Sequence, residues 1–516
     1  MTRSGAAPDK EASGINANAG MNANAHRREA RSAAVKSRPP SVALIVDNPL
    51  RDLPGLTLLA ARLCTYGIDC HMVPMQRQDM EIGSLAPDAV VINYLRPNNE
   101  KAVRQFLEAE IAVLISDTEG GILTSLDSYE QTLSQDDAVR SGISRYCSWG
   151  SSLAEHAVTR GWYRSDQVVV TGAPRFDYYA PTWREAALAA SPWADQLASP
   201  IVLINGNFPL ANPQFQSADA ELRMQVAQFG HDPEEIARRQ AGQQLVLKEL
   251  TALVNRLALR FPDTTFLYRP HPFERLATYE TLLTPRPNLF TGKTGTAEGW
   301  ILRSCAVLQR NCTTAVEAGM AGVPALSPSW IPVPQEVESA EGPSVPCHTE
   351  AVLEGHLMAC IEGRMAMPEA NVEALNRTVD AWFFRADGRA HERVAAEVMA
   401  VLTPHDRLAH RSRCMAIGRA TAPPDAPLTE RVRPAVRALL KRHLPPGAAG
   451  LQPSRAERPW RRSEKQFDAS DVSRILAPLA GPMGLPDNAL EVESAQRAGS
   501  YLSRLPFGRA VTIKKV

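Results

Sequence analysis

Cysteine is scarce in this chain and never spaced for chemistry. Eight cysteines in 516 residues are too few for a disulfide scaffold. No pair has the C-x-x-C spacing of a zinc ribbon or a thioredoxin-like redox site. Long apolar runs are missing too: none reaches the ~18 residues of a membrane-spanning helix. No early apolar segment ends in a small-residue cleavage site, so no secretory signal is expected. Several nucleotide and hydrolase signatures are also absent. No G-x-G-x-x-G follows an apolar run, which argues against a dinucleotide-dependent dehydrogenase, and neither G-x-S-x-G nor H-E-x-x-H occurs. Gly292-Lys293-Thr294 imitates the end of a phosphate-binding P-loop, but Pro287 stands where the first glycine belongs. That triplet reads as a solvent loop. No Asp-x-Asp or histidine cluster marks a metal, so no metal and no cofactor are expected. The chain reads as a reduced, cytoplasmic protein.

Net charge is absent as well, with 56 Lys+Arg against 56 Asp+Glu. The balance hides an asymmetry. Residues 403–516 hold 20 basic against 10 acidic residues, a net of +10, and residues 1–40 a net of +4, so residues 41–402 carry −14. An acidic body is the wrong footprint for a nucleic-acid reader. It suits a small ligand, with basic ends free to meet an anionic surface.

What is present is an alternation of short apolar runs and amphipathic stretches. Residues 1–40, with their Asn-Ala repeats, cannot bury a core and read as disordered. Order begins at Ser41. Val42–Val46, Ala89–Ile92, Ala112–Ile115 and Val168–Val170 predict parallel strands covered on both faces in a domain over 41–180. A Pro/Ala-rich connector runs from Ala180 to Pro200. The rhythm restarts at Ile201–Ile204, Thr265–Tyr268, Ala306–Gln309 and Ala325-Leu326, in a second domain over 200–349. Residues 350–402 read as helices packing back across the domains, and 403–516 as a basic Pro/Arg-rich tail with short helices. The fold class is α/β, two doubly wound Rossmann-like domains facing a central cleft, where ligands bind beyond the strands' carboxyl ends.

Four segments stand at strand ends. Arg310-Asn311-Cys312-Thr313-Thr314 opens a helix, where hydroxyls and free N–H groups make an anion site. Glu317, one turn on, can accept from ribose hydroxyls, although a simple capped helix explains the same residues. Arg269-Pro270-His271-Pro272 holds two phosphate donors in a stiff turn. Asp117-Thr118-Glu119-Gly120-Gly121 offers carboxylates and close backbone approach, or else an acidic cap. Thr171-Gly172-Ala173-Pro174-Arg175-Phe176-Asp177 puts Arg175 in the cleft, or forms a hinge with an Arg–Asp pair, the reading favoured for Asp177.

The order of these elements resembles bacterial surface carbohydrate biosynthesis proteins, glycosyltransferases of the two-domain GT-B fold. The matching residues are the acidic Gly turn, T-G-x-P-R-F-D, Asn205-Gly206-Asn207-Phe208, His271-Pro272 and the Thr313-Thr314 helix with its E-A-G-x-x-G-x-P. Arg51-Asp52-Leu53 and Asp387-Gly388 match as well, and the resemblance spans about 41–402. The turn, His-Pro and Thr elements also resemble bacterial sialyltransferases and 3-deoxy-manno-octulosonic acid transferases, whose donors are cytidine-monophosphate sugars.

By that resemblance His271, Thr313 and Thr314 bind donor phosphate, with Arg269, Asn311 and Glu317 beside them. Arg51, Gly120, Arg175, Asn205 and Asn207 line the cleft. The family's acid-acid-Gly turn becomes Asp-Thr-Glu-Gly here, so Glu119 or Asp117 is the general base. The implied activity moves a sugar from a nucleotide-sugar substrate to a surface polysaccharide or lipid-linked acceptor. A nucleotide-sugar 2-epimerase, a polyol-phosphate transferase and a non-catalytic assembly scaffold are the alternatives. Leu428 to Leu444 reads as a basic amphipathic helix, interrupted by Pro434. It suits the anionic inner membrane face, or else packs on the protein.

Overall fold

The computed structural model describes residues 39–119, 126–229, 232–403, 406–417, 465–494 and 510–516. The N-terminal segment before residue 39 and the 428–444 helix lie outside the described residues, as does Gly120.

Two α/β halves are built on separate sheets. In the first, β1 (Ser41–Val46), β2 (Asp69–Pro74), β3 (Ala89–Ile92), β4 (Ala112–Ser116), β5 (Arg145–Ser148) and β6 (Val168–Val170) run parallel in the order β2-β1-β3-β4-β5-β6. Alternate residues of β1 enter two different cores. Val42, Leu44 and Val46 pack with helix α1 (Pro49–Thr65), and Ala43 and Ile45 pack on the other face. A strand buried on both sides has room for polar side chains only beyond its end. Helix α2 (Leu126–Glu130) follows the loop after β4.

The second half repeats the plan. β7 (Ile201–Asn205), β8 (Thr265–Arg269), β9 (Leu289–Thr291), β10 (Ala306–Gln309), β11 (Ala325–Pro328) and β12 (Val345–Cys347) lie parallel in the order β9-β8-β7-β10-β11-β12. Helices α3 (Ala297–Arg303) and α4 (Thr314–Ala321) follow β9 and β10. Strand order reverses between β1 and β3 in one sheet and between β7 and β10 in the other. These two switch points are where open α/β sheets leave a crevice.

Trp149, Phe176 and Tyr179, from the end of the first half, share one hydrophobic cluster with Leu203, Leu267, Trp300 and Val316 of the second. Asp177 accepts the Ala390 and His391 N–H groups and His391 Nδ1, at 2.9, 2.8 and 2.8 Å, and so caps α5 (Ala390–Val401). The expected Arg–Asp hinge pair does not form, because the start of α5 takes both Asp177 oxygens.

The region after residue 403 is more than a tail with short helices. α6 (Arg407–Cys414) is tied to the first half by Arg407–Asp88 at 2.5 Å and by His410 Nε2 against the Pro87 carbonyl. α7 (Ala469–Leu476) adds Val472 and Ile475 to the core around α1. β13 (Leu490–Ser494) and β14 (Val511–Lys515) form an antiparallel ribbon, and β14 pairs with β2 to extend the sheet to eight strands. β2 would otherwise be an open edge, and edges are usually covered. Among the described residues no helix is long and apolar enough to cross a membrane.

Candidate active site

On the first half the site grows from the start of α1. Asn48 caps the helix, and Asp52 reaches back to the Asp47 and Asn48 N–H groups at 3.2 and 2.9 Å. That clasp turns Arg51 toward the loop after β4. Its guanidinium meets Asp52 at 2.6 Å, Glu119 at 2.9 Å and the Thr118 hydroxyl at 3.2 Å. Arg96, from the loop after β3, holds the other Glu119 oxygen at 2.7 Å and stacks on Tyr94. Burial opposes the Glu119 charge, but Arg96 and Arg51 outweigh it and hold the carboxyl down at about 2.

Asp117 is the opposite case. Only 2% exposed, it accepts the Tyr129 hydroxyl from α2, Tyr146 at 3.4 Å and the Glu119 N–H at 2.8 Å. Burial pushes its carboxyl up to about 6 against the pull of Arg96. Two acids of one turn are thus split: two guanidinium groups hold Glu119 ionised, and burial raises Asp117.

On the second half Asn205 ends β7 and Arg269 ends β8, in register with each other. Asn205 is 4% and Arg269 9% exposed, and Asn205 Nδ2 and Arg269 Nε have no hydrogen-bond partner. Arg269 spends one nitrogen on the Gly295 carbonyl at 2.6 Å and, among the described residues, makes no ion pair. Burial lowers its pKa, which Glu298 and Glu317 oppose without touching it. At the neighbouring switch-point strand, β10, α4 begins with Thr313 as a cap residue whose side chain caps nothing. The Thr314 hydroxyl donates to Cys312 Sγ at 3.2 Å. One sheet thus carries both a helix start and a buried guanidinium without an ion pair among the described residues, two groups suited to an anion.

His271 follows β8, half-buried. Its Nδ1 accepts the Phe273 N–H at 3.2 Å, which puts the ring proton of the neutral imidazole on Nε2. Burial, helped by the Arg51 charge from the first half, holds the imidazole down at about 4. The turn is clamped from beneath by Glu274, fully buried, which accepts the Phe208 N–H at 2.9 Å, the His271 N–H at 3.0 Å and the Tyr279 hydroxyl. The Gly292–Thr294 segment is no free solvent loop. Lys293 Nζ donates to Gln214 Oε1 at 2.6 Å, to the Pro272 carbonyl at 2.9 Å and to the Glu274 carbonyl, binding it to the His271 turn.

Arg175 joins the halves. Its guanidinium stacks on Phe176 at 4.3 Å and Trp149 at 5.0 Å and stands 3.8 Å from Glu317. Trp149 Nε1 in turn donates to the Asp117 carbonyl. Glu317 also accepts the Tyr179 hydroxyl at 2.5 Å.

The structure thus brings together Arg51, Asp117 and Glu119 on one side, and Asn205, Arg269 and Glu317 on the other, with Arg175 between them. The Arg51 and Glu119 charges of the first half act on the His271 imidazole in opposite directions. Asn207 is half-buried. Asn311 departs from its expected role: at φ +58° its amide donates to the Gln335 carbonyl and accepts the Val337 N–H, so both ends are spent on the chain. Sequence reasoning missed Arg96 and Glu274, which lie in loops without a motif, Lys293, whose triplet reads as a solvent loop, and Glu298, at the start of a helix. Glu298, in the first turn of α3, is pushed up to about 7 by burial. Among the described residues Asp127, Glu130 and His156 are close enough to share a metal ion, but Arg160 already sits on Glu130 at 2.8 Å.

No protein-family model matches the chain, and no curated protein is similar to it in sequence. Solved structures share its architecture at low similarity. The UDP-GlcNAc 2-epimerase of Neisseria meningitidis bound to UDP-GlcNAc is 13% identical over 70% of this chain and 100% of that one, with a TM-score of 0.43. The Methanocaldococcus jannaschii UDP-GlcNAc 2-epimerase with UDP-GlcNAc and UDP is 13% identical over 70% and 99%, at 0.44. The wall teichoic acid polymerase TagF is 10% identical over 75% and 96%, at 0.45. None of these likenesses assigns a residue or a reaction to this chain.

Proposed function

We propose that this chain is a glycosyltransferase that takes a sugar from a nucleotide-sugar donor to a surface polysaccharide or lipid-linked acceptor. One observation carries the reading. Arg269 is a buried guanidinium at the end of β8 with an unspent Nε–H and, among the described residues, no ion pair, in the same sheet as the strand that leads into the uncapped start of α4. An unpaired buried cation is costly unless a ligand supplies the anion. The phosphate of a nucleotide sugar does so.

In the transfer, the bond between the sugar's anomeric carbon and the phosphate oxygen breaks, and negative charge grows on the phosphate. Arg269, the α4 N–H groups and the His271 Nε2–H stabilise that charge. Asp117 removes the acceptor hydroxyl's proton as the new glycosidic bond forms. Glu119 stays ionised and keeps Arg51 and Arg96 in place. The resemblance to surface-carbohydrate enzymes and the motif order support the acceptor class. The basic 428–444 segment supports a site at the inner membrane face.

The test is a binding and product assay on the full chain. Thermal shifts with cytidine monophosphate, uridine diphosphate and cytidine diphosphate identify the nucleotide, since a ligand of the native state raises stability. Incubation with the matching nucleotide sugar then separates the reactions. Release of nucleotide that depends on a glycan acceptor supports transfer. A C2-inverted nucleotide sugar formed without acceptor supports epimerisation instead, and no stabilisation by any nucleotide contradicts both.

A further inference from the structure

Asp47, the residue after β1, has both carboxylate oxygens taken. Oδ2 accepts from Arg51 at 3.3 Å, and Oδ1 accepts from Lys465 Nζ at 2.7 Å. Lys465 lies 418 residues further along the chain. The Lys465 and Asp47 side chains are only 11% and 13% exposed, so this is not the freely solvated kind of pair that contributes little. The same ammonium stands 5.6 Å from the centre of the Phe273 ring on the second half. Phe273 gives its N–H to His271 Nδ1, and its ring lies 5.5 Å from the imidazole. One side chain thus meets both the Arg51 wall and the His271 turn.

Its own segment is packed in place. Phe467, 3% exposed, joins the core around α1, and Asp468 closes a capping box at the start of α7. Further along α7, Arg474 donates to the Ala190 carbonyl at 2.7 Å and stacks on Trp193 at 4.9 Å. A side chain carried by a packed segment can fix the position of what it touches.

Charge decides what it fixes. Arg51 faces three carboxylates with one charge: Asp52 at 2.6 Å, Glu119 at 2.9 Å and Asp47 at 3.3 Å. Lys465 takes up the third. Without it, Asp47 has among the described residues only Arg51 to pair with, and it competes with Glu119 for that guanidinium. A carboxylate with little exposure is costly when it loses its cation, so the competition is strong. The Glu119 N–H in turn holds Asp117 at 2.8 Å.

We propose that Lys465 is a positioning residue of the active site, which occupies Asp47 so that Arg51 stays on Glu119 and the Asp117–Glu119 turn keeps its shape. The inference rests on the reading of Asp117 as the base of a transferase.

The experiment measures donor hydrolysis on the full chain, with water in the acceptor's place. The water oxygen bonds to the anomeric carbon, Asp117 takes the proton, and the nucleotide leaves with the electron pair of the broken bond. The probes are a cytidine-monophosphate sugar, a cytidine-diphosphate sugar and a uridine-diphosphate sugar, read by the nucleotide released. Lys465→Met should lower kcat at least about 10-fold, the worth of one hydrogen bond to a charged group. KM should stay within about 2-fold, because the donor's own contacts are untouched. Lys465→Arg keeps the cation and should restore most of kcat. In an Asp47→Asn background Lys465→Met should cost less than about 2-fold, since the competitor for Arg51 is gone. Should Lys465→Met not fold, Lys465→Gln answers with the same pattern. A Lys465 variant with wild-type kcat overturns the inference, as does an equal loss in both backgrounds. A wild type that hydrolyses none of the three sugars contradicts the transferase reading, and the inference falls with it.

Discussion

Asn205 and Arg269 stand side by side as register partners on β7 and β8, and each keeps a buried nitrogen that bonds to nothing among the described residues. A buried donor left without an acceptor costs about 1–3 kcal/mol, more when charged. Two such costs lie at adjacent strand ends, one of them on the switch-point strand β7, where a ligand from outside the chain would relieve them.

The two acids of the first-half turn should separate by mutation. Asp117→Asn is expected to lower turnover by about two to four orders of magnitude, the usual worth of a general base. Glu119→Gln should cost less, through loosened Arg51 and Arg96. Because burial raises Asp117 to about 6, the ionised, proton-accepting form prevails above that pH. Turnover should climb as pH rises through about 6 and then level. A steady-state pH profile that is flat from 5 to 8, or a Glu119 variant more damaged than the Asp117 variant, moves the base elsewhere.

His271 and Glu274 should fail in different ways. His271 is neutral above about 4, so His271→Ala removes a donor to phosphate and should weaken nucleotide binding by about 1.5–3 kcal/mol with little loss of stability. Glu274→Ala strands the Phe208 and His271 N–H groups and the Tyr279 hydroxyl at once. It should lower unfolding free energy by about 3 kcal/mol or more. Urea titration separates the two, and an unshifted midpoint for Glu274→Ala would show the clamp to be idle.

The two-sheet plan was legible because strands covered on both faces, such as Val42–Val46 and Ile201–Ile204, must be written in apolar residues. β2 and β5 escaped because their runs include Asp69, His71 and Arg145, polar residues whose burial depends on distant partners. His71 sits buried with Nδ1 against the Thr512 hydroxyl of β14, 441 residues away. β14 itself is five residues with two lysines, unreadable until β2 supplies its edge. In the site, the residues at strand ends were legible from their position. Those that set their chemistry were not: nothing local says that Arg96 will meet Glu119, or that Asn311 will spend its amide on residues 335–337.

The C-terminal ribbon should be part of the first half's stability. Ile513 is fully buried against α1 and β2, so Ile513→Ala should cost about 2–5 kcal/mol by thermal or urea unfolding. A change within about 0.5 kcal/mol would mean that β14 is not docked in solution.

Membrane contact needs a test that spares this ribbon, because a chain cut near residue 405 loses β13 and β14. Replacing Arg431, Arg433, Arg437, Lys441 and Arg442 with Gln removes the segment's basic charges and leaves β13 and β14 in the chain. The wild-type chain should sediment with anionic liposomes and be released by salt, and the Gln variant should stay in the supernatant. Equal sedimentation of both places the contact outside this segment.

Arg269→Met tests the central claim most directly. If the guanidinium is held unpaired for a donor phosphate, its removal should leave the empty protein as stable as wild type or more so, since a buried unpaired charge is replaced by an apolar chain of similar length. The same substitution should weaken nucleotide binding at least about 100-fold by isothermal titration, the upper worth of hydrogen bonds to a charged group. A variant that loses stability yet binds nucleotide like wild type would contradict the account, and would make Arg269 a structural residue.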